Sequence, residues 1–317
     1  MDFGLLKEAF WGLTFDGLAL GSIYALISLG YTLVYGVLRL INFAHSEVFM
    51  IGTFGALVAS SGIMGVSVDD DPLTGGKMIL TLLVCLLVAM IASALTAVAV
   101  EFVAYRRLRK RGATKLATLI SAIGVSISLV EFFRIITDSL PRTFPRIMDK
   151  TFLAHFAGAD IRNDKVIVIV AAAVMMVALD QFISKTRLGK GIRAVSMDEN
   201  TATLMGVNIN RVITVTFFAG GLMAGAAAFF YILTYENTSF KVGFFLGISA
   251  FTAAVLGGIG NLRGALFGGF VLGLMETYTS AVFGTAWKAV ISFIILVLVL
   301  LIKPTGLFGE SITQARV

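Results

Sequence analysis

Residues 40–50 read LINFAHSEVFM. Between positions 42 and 47 lie an amide (Asn42), an imidazole (His45), a hydroxyl (Ser46) and a carboxylate (Glu47). On an α-helix, Asn42, His45 and Ser46 fall at i, i+3 and i+4 and share one face, with Glu47 turned away from it. The chain is uncharged on either side, over residues 17–38 and 48–68. Two readings stand. The cluster is a polar turn joining two spans, with Asn42 and Ser46 capping helix ends, or it is a gate or pathway-lining break in a helix.

Other ionisable groups are scattered through apolar runs: Glu101, Glu131, Asp180, Glu236 and Glu276. A charge at a bilayer centre costs roughly 2.5–3.5 kcal/mol on insertion scales, so such groups face a bundle interior, a cavity or an interface. Glu101 and Asp180 stand close to basic residues and are read as interfacial. Glu236 is read as near the outer surface. Glu131 and Arg134 are three apart and can pair on one helix face. Glu276 is deepest in its run and is read as an interior packing or gating group.

Enzyme chemistry finds little support. The sequence has no G-x-x-x-x-G-K-[ST] phosphate loop, no HExxH and no GxSxG. It has two histidines and one cysteine, Cys85. That excludes an intramolecular disulfide and a multi-histidine metal site. Cys85 is read as a small apolar residue.

The elements holding these groups are membrane helices. Of 317 residues, 58% are hydrophobic and only 14% charged, and the mean hydropathy is +0.94. A soluble domain is nearer a quarter charged. Uncharged runs of spanning length occupy 17–38, 48–68, 78–100, 212–235 and 242–262. Weaker spans are read at 116–133, 164–184, 264–283 and 289–302. The expectation is an all-α polytopic membrane protein of eight or nine spans, one transmembrane domain over 1–317. Part of 242–283 is either a tight hairpin at GNLRG or a broken, re-entrant helix. The basic loops 105–115 and 185–193 predict the cytoplasmic side, and the acidic stretch 69–77 the outside. With nine spans the N-terminus is outside. Residues 1–16 lack a basic start and are expected to be retained. The net charge of +6 lies in these loops and is no nucleic-acid signal. Gly260, Gly264 and Gly268, like Gly269 and Gly273, recur every four residues and predict close helix packing.

The longest cytoplasmic stretch, 185–211, contains SMDENTATLMGV. A short helix is expected there, capped by Ser196 with Glu199 completing a capping box. Ala202 and Gly206 would give it a flat face, and Leu204 and Met205 apolar contact for a partner's groove.

Three stretches carry a resemblance that covers about residues 10–303. They are GLALGSIYALISLGYTLVYGVLRLINFAHSEVFMIG, IRAVSMDENTATLMGVN and AAVLGGIGNLRGALFGG. Together they resemble the H-type permease subunit of branched-chain amino acid importers of the ABC class. Residues 200–206 resemble, more weakly, the coupling loop of ABC permeases. The resemblance implies Glu199, Thr201, Ala202, Leu204, Met205 and Gly206 as the ATPase-coupling segment. It shifts the weight at Asn42, His45, Ser46 and Glu47 towards a gate, with Glu276 a second candidate. It further implies a second homologous permease subunit, two cytoplasmic ATPases and a periplasmic binding protein, in a bacterial inner membrane. ATP and Mg would sit on those partners, with no cofactor on this chain. Urea, short amides or sugars remain possible cargo by family kinship. A secondary transporter or channel working alone through its carboxylates is the rival class. Ser46 departs from the family pattern, which has glycine there.

Overall fold

The computed structural model describes residues 9–156 and 159–309. Eight of its helices are long and apolar enough to cross a membrane. They are α1 (Phe10–Leu38), α2 (His45–Ile63), α3 (Gly75–Lys110), α4 (Lys115–Ile136), α5 (Asn163–Lys185), α8 (Ile209–Tyr235), α10 (Leu262–Phe283) and the stretch Thr285–Ile302, whose α-helical part is α11 (Lys288–Ile302). Two short helices, α6 (Arg187–Met197) and α7 (Glu199–Leu204), lie between α5 and α8. The apolar α9 (Val242–Gly257) is shorter than the rest. Continuous apolar runs can satisfy every backbone group within the segment only as helices, which is why helices dominate.

α1 is the axis of the bundle. It is buried almost without a break from Gly17 to Val34. Small residues let its neighbours approach, as expected where lipid gives no hydrophobic reward for helix contact. A Cβ built on Gly269 of α10 would lie 2.6 Å from the Ala25 Cα, and one on Gly273 would overlap Gly21. Gly264 and Gly268 point the other way, onto Gly257 and Ala253 of α9. The two glycine series therefore serve two faces of α10. Gly260 belongs to neither. It sits in the turn before α10 at φ 100° with open space around it, so its predicted packing role is incorrect. What it supplies is a left-handed backbone that other residues adopt only with strain.

The run 242–262 is not one span. Its helix stops at Gly257, Gly258 takes φ 104°, and Asn261 Oδ1 accepts the Arg263 and Gly264 amides to start α10. At 1.5 Å per residue the 16-residue α9 measures about 24 Å, short of a ~30 Å hydrocarbon core. The chain enters α9 through β4 (Asn237–Thr238), which pairs antiparallel with β1 (Arg142–Thr143). A second hairpin pairs β2 (Phe152–Phe156) with β3 (Ala159–Arg162). Sequence reading foresaw none of these strands. They are short and fall in a loop without an apolar alternation.

α2 and α3 each contain a π-helical turn, at Ala59–Ile63 and Glu101–Arg106. Such turns often mark functional positions. The second puts Glu101 inside the protein, fully buried and 2.8 Å from Arg106 Nη2.

Candidate functional site: two buried polar clusters and a cytoplasmic link

The first cluster forms where α1 stops. Arg39 adopts a left-handed conformation (φ 51°) and donates its N–H to Tyr35 O at 2.7 Å, closing the helix. A turn follows, in which the His45 amide reaches Asn42 O at 3.1 Å, and α2 begins at His45. Asn42 is thus outside the helix and does not share a helical face with His45. Neither Asn42 nor Ser46 caps an end, because Ala44 is the N-cap and no side chain serves it. The Asn42 amide oxygen accepts from Tyr105 of α3 at 3.0 Å. Ser46 Oγ lies 2.8 Å from Phe43 O and 3.0 Å from Glu47 Oε1.

All four polar residues of the turn are buried. Glu47 Oε1 also accepts from Ser126 of α4 at 3.1 Å. Glu47 Oε2, His45 Nε2 and Asn42 Nδ2 are buried without a hydrogen-bond partner among the described residues, as is Thr32 Oγ1. Buried polar atoms are nearly always partnered, and one left alone costs about 1–3 kcal/mol. The histidine ring is seated against Gly30 of α1, where a Cβ would overlap it. Ser46, the departure from the family pattern, meets Gly243 and Gly247 of α9. The space a glycine at position 46 would leave is thus taken by the serine, and the glycines stand opposite.

The second cluster centres on Glu276 of α10, fully buried. Tyr24 of α1 donates to Oε2 at 2.6 Å, Ser249 of α9 donates to Oε1 at 2.8 Å, and Ser292 of α11 donates to Oε1 as well. One carboxylate so ties four helices. Its interior position was legible from the sequence. The three hydroxyls were not singled out there, although each is a polar residue inside an apolar run.

The remaining acids behave more plainly. Glu131 and Arg134 pair at 2.6 Å, both about half exposed. Glu236 ends α8 and pairs with Lys150 at 2.6 Å and Arg146 at 3.5 Å. Among the described residues, no group of three or more His, Cys, Asp or Glu side chains is placed to hold a metal ion.

The segment 185–211 folds as two helices rather than one. Ser196 lies inside α6, its hydroxyl bonded to Arg193 O, and is not a cap. Asp198 is the N-cap of α7 and accepts the Thr201 amide at 3.0 Å. Asp serves here as well as Ser would, and it stands two residues later. That hydrogen bond holds the Asp198 carboxyl below its ordinary range. Gly206 follows α7 at φ 82° with open space beside it, so it terminates the helix and forms no flat face with Ala202. Ala202 is buried, while Leu204 and Met205 are 86% and 80% exposed. Arg39 reaches this region from the end of α1. Its guanidinium donates to Ser196 O and Met197 O, each at 3.1 Å. Arg39 was not singled out from the sequence.

A predominantly helical bundle with eight helices of spanning length and polar clusters sealed inside it is a polytopic membrane protein. The chain belongs to the family described as branched-chain amino acid transport system permease component, matched over residues 13–300. It is 39% identical to the high-affinity branched-chain amino acid transport system permease protein BraD of Pseudomonas aeruginosa, over 93% of this chain and 94% of that one. Identity to the corresponding protein LivH of Escherichia coli is also 39%, with the same coverage. A probable LivH from Methanocaldococcus jannaschii is 25% identical over 96% of this chain and 95% of its own. No solved structure matches the chain.

Proposed function

We propose that this chain is one permease subunit of an ATP-driven importer of branched-chain or other aliphatic amino acids in a bacterial inner membrane. It pairs with a second homologous permease subunit. A periplasmic binding protein delivers cargo from outside, and two ATPase subunits hydrolyse ATP in the cytoplasm. Kinship to BraD and LivH over nearly the whole chain supports the cargo class.

The observation that carries the coupling role is α7. Its Ala202 is packed down and Asp198 and Gly206 fix its two ends, yet Leu204, Met205 and the neighbouring Met197 stand 80% exposed or more. A short fixed helix with bare apolar side chains suits a groove in a partner protein. Glu199 and Thr201 complete the segment. Arg39 joins the α6–α7 junction to the residue that ends α1, three positions before Asn42. A push on α7 therefore has a short mechanical route to the turn 40–47, where Asn42, His45, Ser46 and Glu47 act as a gate. Glu276 holds the helices that must move together.

The test is Arg39→Ala in the assembled transporter. ATPase subunits should still co-purify, while ATP-dependent uptake falls at least tenfold. Full uptake would remove Arg39 from the route. Uptake in vesicles on a proton gradient with no ATPase present would overturn the importer reading itself.

A further inference from the structure

The π-helical turn of α3, Glu101–Arg106, gathers buried groups that the route through Arg39 does not use. Glu101 is fully buried. Arg106 Nε donates to its Oε1 at 3.0 Å, and Arg106 Nη2 stands 2.8 Å from Oε2. On an α-helix, residues five apart lie about 140° from each other around the axis and point to different sides. The i→i+5 bonding of a π turn brings them together. The ion pair and the turn therefore support each other, since parting the two groups would leave a bare charge in the interior. The same turn carries Tyr105, 2% exposed, whose hydroxyl donates to Asn42 Oδ1 at 3.0 Å.

Arg109 follows three residues beyond the turn. Its Nη2 is 3.8 Å from Glu101 Oε1 and donates to Asn210 Oδ1 at 2.6 Å. Asn210 is the second residue of α8. α7 ends at Leu204 and α8 begins at Ile209, and the short link between them is drawn in, with Val207 N–H donating to Ala202 O at 3.0 Å. The Arg109 guanidinium also feels the carboxylate of Glu199, in the first turn of α7. Its Nη1 is buried without a hydrogen-bond partner among the described residues, so it has a donor to spare when α7 shifts.

We propose that this π turn is a second coupling element. Arg109 connects it to α7, and Tyr105 is a positioning residue that holds Asn42 and with it the turn 40–47. This role rests on the reading of α7 as the ATPase dock and of 40–47 as the gate. Motion passes along a row of contacts only where a member has two arrangements. Here the π turn is that member: a return to α-helical register parts Glu101 from Arg106 and turns Tyr105 away from Asn42. Arg39 takes hold of the α6–α7 junction from the end of α1, and Arg109 takes hold of the start of α8. A push on α7 thus reaches the turn 40–47 from two elements.

The test uses the assembled transporter in vesicles, with the binding protein and radiolabelled leucine as the probe cargo, and reads uptake and ATP hydrolysis side by side. Tyr105→Phe deletes one hydroxyl and keeps the buried ring. ATPase subunits should still co-purify and hydrolyse ATP within about twofold of wild type, while leucine carried per ATP falls about tenfold, as the loss of one buried hydrogen bond allows. Asn210→Ala, at an exposed position, should do the same, and Asn210→Asp, which returns an acceptor to Arg109, should restore transport. The double variant Tyr105→Phe/Asn210→Ala should be no worse than either alone, since both cut one route. Tyr278→Phe deletes a hydroxyl bonded to Thr14, away from this turn, and should carry leucine as wild type does. If Tyr105→Phe lowers the unfolding temperature, Asn210→Ala against Asn210→Asp carries the same comparison. Wild-type coupling in Tyr105→Phe and Asn210→Ala, losses that multiply in the double variant, or no rescue by Asn210→Asp overturns the proposal. Leu204→Asp with Met205→Asp marks the separate failure: if that variant still binds its ATPases, the docking reading falls, whatever Tyr105 does.

Discussion

Replacing Glu276 with methionine keeps the volume and removes the acceptor that Tyr24, Ser249 and Ser292 share. The cost is not that of the carboxylate itself. It comes from three buried hydroxyls left without their acceptor, each worth about 1–3 kcal/mol. The Ser249 and Ser292 hydroxyls can still bond each other at 3.1 Å, and Ser292 also has Lys288 O at 3.3 Å, so the lower end of that range is the better guide for both. A total near 3 kcal/mol corresponds to a fall in unfolding temperature of about 4–5 °C for a 317-residue chain. Removing donors as well should repair the loss, because replacing both partners of a buried bond by apolar groups is nearly neutral. Adding Tyr24→Phe, Ser249→Ala and Ser292→Ala to Glu276→Met should therefore recover most of the stability. Thermal unfolding in detergent measures both steps, and uptake in reconstituted vesicles is read beside it. Restored stability with uptake still absent makes the cluster a moving part. Restored stability with restored uptake makes it a packing device. If the quadruple variant is as unstable as Glu276→Met alone, the account of the cost through orphaned hydroxyls is wrong.

Leu204→Asp with Met205→Asp should abolish ATPase co-purification while shifting unfolding by no more than about 0.5 kcal/mol, since both side chains are exposed; pull-down and thermal melts check the pair. Gly269→Leu should overlap Ala25 of α1 and lower stability by at least the ~1–3 kcal/mol of ordinary overpacking, whereas Gly260→Ala meets no atom and pays only for its positive φ, about 1–2 kcal/mol. Asn42→Leu with His45→Leu removes two unpartnered polar atoms but takes the acceptor from the buried Tyr105 hydroxyl, so it should fold within about 1–3 kcal/mol of wild type and lose uptake; loss of assembly instead would make the turn structural. The Asp198 cap has a pH signature. Its folded carboxyl titrates below the unfolded one, so its support is fully present above about pH 4 and fades as pH falls through the lowered value. A spectroscopic reporter on α7 should show that fading, and Asp198→Asn should remove it.

The spans were legible because a bilayer demands long apolar runs and leaves few alternatives. α8 and α10 follow the sequence pattern to within a few residues, whereas α1 begins at Phe10, ahead of the uncharged run 17–38. The failures have local causes. The run 242–262 is uncharged throughout, so hydropathy alone marks no end at Gly257. Backbone conformation at Gly258 sets it. Ser196 and Asp198 are both good caps, and only packing of Val195 against the bundle decides that α6 runs on to Met197. Gly260 continues a four-residue spacing that Gly264 and Gly268 use for contact, but the helix begins after it. Of the two buried clusters, the acid or amide in each was legible as costly in an apolar run. Its partners were not, because Tyr24, Ser126, Ser249 and Ser292 come from helices whose order in space no single sequence reveals.

The two clusters also differ in a way that bears on motion. Glu276 has every oxygen accounted for, by donors on three other helices, and such a network favours one arrangement. The turn 40–47 has the opposite character. Glu47 Oε2, His45 Nε2 and Asn42 Nδ2 are buried and unserved, which raises the energy of the arrangement seen. In the proposed gate, a second arrangement in which those atoms meet water or cargo would recover that cost. On the proposed gating reading, the Glu276 cluster holds α1 in place at Tyr24, and the turn 40–47 is its releasable end. Between them Tyr31 touches the His45 ring and Gly247 of α9. On that reading, opening at the turn would press on α9 through Ser46, which meets Gly243 and Gly247, and α9 is itself tied to Glu276 through Ser249.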